Sequence, residues 1–467
     1  MSQQAPYSYV NLGTARQQLA NRLFDTGQIF WSAAELNQII TEALRTWNAL
    51  TAMWREDFTF QTVQGTTWYD LTDTVAMPNT VRPYTVNDTV IYQAILYHLL
   101  EPATGPVSVQ FSTDDIVNAV QRRRDEVLST TSCTQTRRLV GAVNGRITLP
   151  DSVIDVRRMA YLPAFTFMGG YGSGFYGAGL YGFSNPNRVV GYVVWPGDVW
   201  SSQSFNRLWT LQPPGKPRTY LLSTEPPLSF TTDRAPDTAG SYELLTIEAG
   251  GALSFTVPST LNVPDDWTHV IKWGALADLF GRAANAEDPL RQQYCEQRFQ
   301  MGMKLLTTAP ALLAMRISDV AIQVDAVRHA DLFNTNWQAL AQAKPKTTLY
   351  SGLNLIALTP TPDGPTPPYM MTVTCVENAP VPVADGDFIQ MSRGDYDAVL
   401  DYSVHLAMLK VGGAEFTSTI PLLQRFLKQA SVYGLKLREI AEFTDIIYGL
   451  ANLEKSMNPV TIPAGDE

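Results

Sequence analysis

Few stretches of this chain leave folding as little choice as SAAELNQIITEALRTWNALTAMW, residues 32–54. Leu36, Ile39, Ile40, Ala43, Leu44, Trp47, Leu50 and Trp54 recur every three or four residues, the period of a helix face. The apolar stripe is wide, so such a helix has to be covered by other helices. Ser32 stands where its hydroxyl can accept from the backbone of Glu35 while Glu35 reaches back, a capping box. NLGTARQQLANRLFD, residues 11–25, places Leu12, Ala15, Leu19, Arg22 and Leu23 at the same spacing, and TGQIFW interrupts the pattern. The two segments predict an antiparallel helix pair.

After this pair the period changes. DFTFQTVQGTTWYDLT alternates, which predicts a strand, a turn at Gln64-Gly65 and a second strand. VNDTVIYQAILYHLLE and STDDIVNAVQRRRDEVLSTTS return to helix. From residue 137 onward RRLVGAVNGRITLPDSVIDVRRMAYLP reads as strands, with Asn144-Gly145 as a hairpin signal. Proline-punctuated extended segments follow. LNVPDDWTHVIKWGALADLFGRA then opens a helix with Asp265 or Asp266 as its cap, and EDPLRQQYCEQRFQMGMKLLTTAPALLAM continues as a long one. Strands such as YMMTVTCV precede two closing helices, DYDAVLDYSVHLAMLKVGGAEF and IPLLQRFLKQASVYGLKLREIAEF.

The expected class is therefore α+β: helical bundle segments with an inserted antiparallel β-rich region and a possible internal repeat. The expected division is 1–135, a helical bundle with a β-hairpin; 136–262, a β-rich region; 263–345, helical; 346–391, a small β segment; 392–456, helical; and 457–467, a tail. The repeat sets Asp266, Trp267, Val270, Ile271 and Trp273 opposite Asp395, Tyr396, Val399, Leu400 and Tyr402.

One segment fits neither period. FMGGYGSGFYGAGLYGF, residues 167–183, alternates glycine with Tyr171, Phe175, Tyr176, Tyr181 and Phe183 and carries no charge. Glycine adds backbone freedom that folding must remove, while the rings carry contact area. An arm seated on a neighbouring molecule and a loop packed on its own chain are both open readings.

Charged residues are 17% of the chain against 45% hydrophobic, which favours large shared surfaces and hence oligomers. The net charge of −10 argues against a nucleic-acid grip, which needs basic stripes. Arg122, Arg123, Arg124, Arg137, Arg138, Arg157 and Arg158 stand beside acids and read as ordinary helix-face charge. Cys133, Cys295 and Cys375 are far apart without metal-ligand spacing and read as free buried thiols of a reducing cytoplasm. No signal peptide or membrane-spanning run is expected.

Chemistry-bearing patterns are sparse. His98 and His405 sit among apolar residues of helices and read as hydrogen-bonded core or interface histidines. Ser173 lacks the flanking glycines of a nucleophile elbow, and Gly215-Lys216 lacks the rest of a phosphate loop. Asp114-Asp115 and Asp265-Asp266 stand at helix starts and read as caps, and Asp385 with Asp387 as a turn. No enzyme activity, cofactor or metal is expected.

Residues 11–54, 261–306 and 392–440 together resemble the head-to-tail adaptor (connector) proteins of tailed bacteriophages. There a helix pair precedes a β insertion, and a proline-acid start leads into closing helices. The resemblance is one of layout, and this chain is longer than the small adaptors. It implies a structural virion protein without enzymatic activity, made in the bacterial cytoplasm. It also implies a ring, usually twelve-fold, between portal and tail protein that continues the channel through which double-stranded DNA passes. An acidic wall suits sliding DNA. Residues 167–183 would then be a docking arm, and 457–467 either a second arm toward the portal or a frayed end. The alternatives are another tail ring or nozzle component, and a carbohydrate-binding tail protein.

Overall fold

The computed structural model describes residues 10–73, 84–100, 111–163, 192–282, 288–308 and 342–433, and the short strands within 312–327, with a few single positions left out. Tyr171, Phe175, Tyr176, Tyr181, Phe183, Ser173, His329 and the tail 457–467 lie outside the described residues.

Two helices open the chain, α1 (Leu12–Arg22) and α2 (Ala33–Thr51). Every apolar position predicted for α2 between Leu36 and Leu50 is buried. The cap is only half the expected box: Ser32 accepts from the Glu35 amide, but the Glu35 carboxylate turns to Lys410, 2.9 Å away. Strands β1 (Arg55–Gln61) and β2 (Trp68–Asp70) follow, then helices α3 (Asp88–His98) and α4 (Thr113–Thr131). At Ser112 and Asp115 the capping box is complete.

A seven-stranded sheet comes next, from β3 (Thr136–Gly141), β4 (Ile147–Thr148), β5 (Val153–Pro163), β6 (Tyr192–Pro196), β7 (Thr219–Ser223), β8 (Ser229–Thr232) and β9 (Gly240–Glu248), with helix α5 (Val199–Phe205) between β6 and β7. Its strand order is β3-β9-β5-β6-β7-β8-β4. One apolar cluster takes Ile147, Met159, Tyr161, Val194, Tyr220, Phe230 and Tyr242 from six of these strands, so the sheet curls around its own core. Helices α6 (Thr268–Phe280) and α7 (Pro289–Thr308) follow.

The chain then returns to β with β10 (Leu312–Ile317), β11 (Ile322–Gln323), β12 (Asp325–Val327), β13 (Thr347–Ser351), β14 (Leu355–Thr359) and β15 (Met370–Val376). With β1 and β2 they form two sheets, ordered β1-β15-β10-β11 and β12-β13-β14-β2. Phe58, Phe60, Tyr69, Ile356, Leu358, Met371 and Val373 share the core between them. Helices α8 (Arg393–Met408), α9 (Gly413–Thr417) and α10 (Ile420–Tyr433) close the described chain.

Several expectations on local structure are corrected. β1 and β2 are not a hairpin: β1 pairs with β15 and β2 with β14, and the left-handed turn at Gly65 (φ 75°) carries the chain between sheets. The Asn144-Gly145 signal likewise joins strands that pair elsewhere, β3 with β9 and β4 with β8. The long helix ends at Thr308, and Leu312–Ile317 is strand, because Pro310 cannot continue a helix. Arg137, Arg138, Arg157 and Arg158 stand on strands, facing Glu243, Glu248, Asp155 and Glu243 respectively.

The repeat runs through the whole fold. In each of two units an Asn caps an 11-residue helix, Asn11 before α1 and Asn87 before α3. Each short helix gives way to a left-handed residue, Phe24 or Leu100, and each 19-residue helix that follows starts at a Ser cap and ends on one, Ala52 or Ser132. The strands match in order, with β11 and β12 together standing where the inner copy has the single strand β6. β1-β15-β10 repeats β3-β9-β5 with antiparallel pairing throughout, and β13-β14-β2 repeats β7-β8-β4. Even the one parallel pairing recurs, β12 with β13 and β6 with β7. Single bridges then tie Phe388 to Asn11 and Thr260 to Asn87, just ahead of α8 and α6. The second unit, 84–308, is nested inside the first, which comprises 10–73 and 312–433. We call them the inner and outer copies. The helices of both share one core, and in this sense the helical segments form a single body.

Candidate functional site

One group of buried polar side chains lies where the two copies meet. Lys272 of α6 is 1% exposed and lies 2.6 and 2.7 Å from the two carboxylate oxygens of Glu42 on α2. Burial holds its ammonium below the ordinary lysine range, against the pull of Glu42. His98 Nε2 lies 3.4 Å from the same ammonium, and burial beside that charge drives the imidazole pKa well down. Gln38 of α2 donates to the Val90 carbonyl at 2.7 Å, and Asn48 to Asp266 at 2.7 Å.

A second group lies where α7 meets α8. The Arg298 guanidinium stands 5.3 Å from the Trp273 ring and 5.4 Å from the Tyr402 ring, and donates to the Tyr402 hydroxyl. Trp273 and Tyr402 are the positions set opposite each other by the repeat. Tyr294 and His405 Nε2 are 2.5 Å apart, and His405 Nδ1 lies 2.8 Å from Thr419. The Thr419 hydroxyl donates to the Phe416 carbonyl, so it accepts from His405. The ring is thus the neutral Nδ1–H tautomer, its Nε2 accepting from Tyr294. Burial lowers its pKa to about 3.

Other sequence-predicted residues fall into structural roles. His98 and His405 are the buried, hydrogen-bonded histidines expected. Cys133, Cys295 and Cys375 are buried thiols. Asp115 caps α4, and Asp387 closes a turn by accepting from the amides of Val383 and Ala384. Asp265 and Asp266 are corrected: neither side chain caps α6. Asp265 accepts from the amides of Thr85 and Val86, and Asp266 from Asn48 and the Ala379 amide. They tie other segments to the helix start.

A feature that sequence reasoning passed over is the α1–α2 loop. Phe24 is 96% and Ile29 90% exposed, yet the Asp25 carboxylate accepts from the amides of Ile29, Phe30 and Trp31. Those bonds hold the Asp25 pKa down and the loop in shape. The signal was present as an Asp followed by apolar residues in a glycine-containing turn.

Lys272, His98, Tyr294, Arg298 and His405 are all buried. A cleft lined by Glu35, Gln38, Ile39, Glu42, Tyr97 and His98 holds about 10 Å³, roughly the room of one water molecule. Among the described residues, no group of three or more His, Cys, Asp or Glu side chains is placed to hold a metal ion. No described helix is long and apolar enough to cross a membrane. No protein-family model matches the chain, and no curated protein matches it. What the arrangement does is join the two copies.

Proposed function

We propose that this chain is a structural virion protein, a ring adaptor between portal and tail of a tailed phage. In this role it continues the DNA channel for genome retention and ejection. The observation that carries the reading is the layout helix pair, β insertion, closing helices, which resembles the phage adaptors and occurs twice in the fold. A unit that already packs against its own copy is suited to a ring. The net charge of −10 suits a wall past which a polyanion slides. The clamped loop at Phe24 and Ile29 offers a preformed apolar contact for an adjoining ring. The partners are further copies of the chain, the portal and a tail or nozzle protein, and the location is the head-tail junction.

Negative-stain imaging of the purified protein, alone and mixed with the portal, tests this. Rings, or new density beneath the portal, are the expected result. A monodisperse monomer that ignores the portal would overturn it.

A further inference from the structure

The two copies inside the chain are not joined by a two-fold. Among the helices, the outer copy presents α2, α8 and the segment after it and the inner copy presents α3, α6 and α7, while Trp68 and Asn354 of the outer copy bond Glu243 and Gln135 of the inner one. A two-fold would bring α4 onto α8 as α2 sits on α6. Instead the charged side chains of α4 pair within their own copy: Arg123 with Asp278 and Glu296, Arg122 with Asp278, and Asp115 with Arg282. The packing is heterologous, one face against a different face. Among the described residues, such packing leaves the complementary faces at the two ends without a copy against them, and repetition generates a ring or a filament.

The free faces can be named from the repeat. Aligning Ser32 with Ser112 sets Gln38 opposite Asn118 and Glu42 opposite Arg122. Aligning Asn11 with Asn87 sets Thr14 opposite Val90 and Arg22 opposite His98. Aligning Asp395 with Asp266 sets Asp401 opposite Lys272. The Glu42 side chain is 11% exposed, whereas that of Arg122 is 66% exposed. Asn118, Thr14 and Arg22 are likewise exposed, although Gln38, Val90 and His98 are wholly or partly covered.

The exchange of charge is reciprocal. Inside the chain an acid on α2, Glu42, meets a base on α6, Lys272. At the other two faces the base is on α4, the exposed Arg122, and the acid on α8 is Asp401, which is itself buried beneath Arg22 and Arg425 and is reached only by displacing them. Asn118 keeps the amide donor of Gln38, and the Thr14 carbonyl stands where the Val90 carbonyl stands. We infer that a second copy of this chain docks by the same geometry. Helix α4 of one chain lies against α1 and α8 of the next, Arg122 faces Asp401, and the assembly alternates inner and outer copies. Each chain then counts as two units of the assembly. The inference rests on the oligomeric part of the reading above and is indifferent to the assembly's place in a virion.

The test uses the full chain carrying Thr14→Cys and Asn118→Cys, both at exposed positions, treated with a short bis-maleimide. The native cysteines are buried and leave the reagent to the new pair. Denaturing gels should show a ladder of covalent multimers that neither single variant gives. Arg122→Glu, another exposed change, should raise the concentration for half-assembly by at least about tenfold by placing like charges together. Mass photometry of the unmodified chain separates the failures. Oligomers without a ladder, and insensitive to Arg122→Glu, would reject these faces and leave the ring reading standing. A monomer at every concentration would reject both. Normal assembly with a ladder but no portal binding would uphold the inference and overturn the adaptor reading.

Discussion

Lys272 of the inner copy and Glu42 of the outer copy form an ion pair with nitrogen–oxygen distances of 2.6 and 2.7 Å, almost wholly out of water. Removing one partner strands the other charge. Glu42→Ala is expected to cost about 3–5 kcal/mol in stability. Replacing both residues by apolar ones of similar volume should cost much less. Urea unfolding of the single and double variants checks this, and a loss below about 1 kcal/mol for Glu42→Ala would mean the pair is solvated.

Arg298 poses the opposite case. It is buried, but its Nε and Nη1 have no hydrogen-bond partner among the described residues, and what holds it there is the pair of rings, Trp273 and Tyr402, with the Tyr402 hydroxyl. Arg298→Met would shed the cost of the two idle N–H groups while filling the space between the rings. Stability should change by no more than about 1 kcal/mol in either direction. A loss of several kcal/mol in chemical denaturation would show that the stacking outweighs the orphaned donors.

The histidines give the fold a pH dependence. His269 and His405 titrate near 3 in the folded chain through burial, with neighbouring Arg298 adding to it, against an ordinary 6.5 unfolded. The unfolded chain therefore binds more protons below about 6.5, so stability is full above that pH and falls as pH drops toward 3. His98 acts in the same direction. Each histidine contributes up to about 1.4 kcal/mol per pH unit in that window. Stability measured from pH 7 to 5 should slope upward with pH, and a flat line would show the imidazoles to be hydrated.

Gly302 of α7 packs tightly on α6. A Cβ placed there would lie 2.5 Å from Val270. Gly302→Ala should destabilise by about 1–3 kcal/mol despite the better helix propensity of alanine, and a thermal melt would read it. No loss would mean that the two helices separate freely.

Deleting residues 169–182 addresses the glycine-aromatic segment directly. As a docking arm, its loss should leave the purified chain folded by circular dichroism and sharply reduce joining of filled heads to tails. Normal joining would remove the arm from the assembly account.

The helices were readable because each records its surroundings locally. The stripe from Leu36 to Leu50 and the cap at Ser32 are properties of neighbouring residues, and each lies where the sequence put it. Strand partners were not readable. Alternation says that Phe58 and Phe60 face a core, but Phe58 pairs with Val373, and nothing near either residue says so. The repeat showed itself between α6 and α8, where large residues align, and stayed hidden between α1–α2 and α3–α4. There only Asn11 and Asn87, the helix lengths and the Ser caps persist. The ionic contacts between the copies were hidden for the same reason: Glu42 and Lys272 are ordinary surface types until nesting brings them together.

Nesting also dictates an order of events at the ribosome. The first 73 residues emerge with α2 and two strands whose partners lie beyond residue 354. The inner copy, by contrast, is complete by residue 308, with both its helix pairs and every strand in hand. It is free to fold first, as contiguous units do during synthesis. While it does so, the apolar stripe of α2 and the unpaired edge of β1 remain a liability for misassembly. The finished inner copy presents α3, α6 and α7 as a template on which the waiting segment settles before its own partners are made.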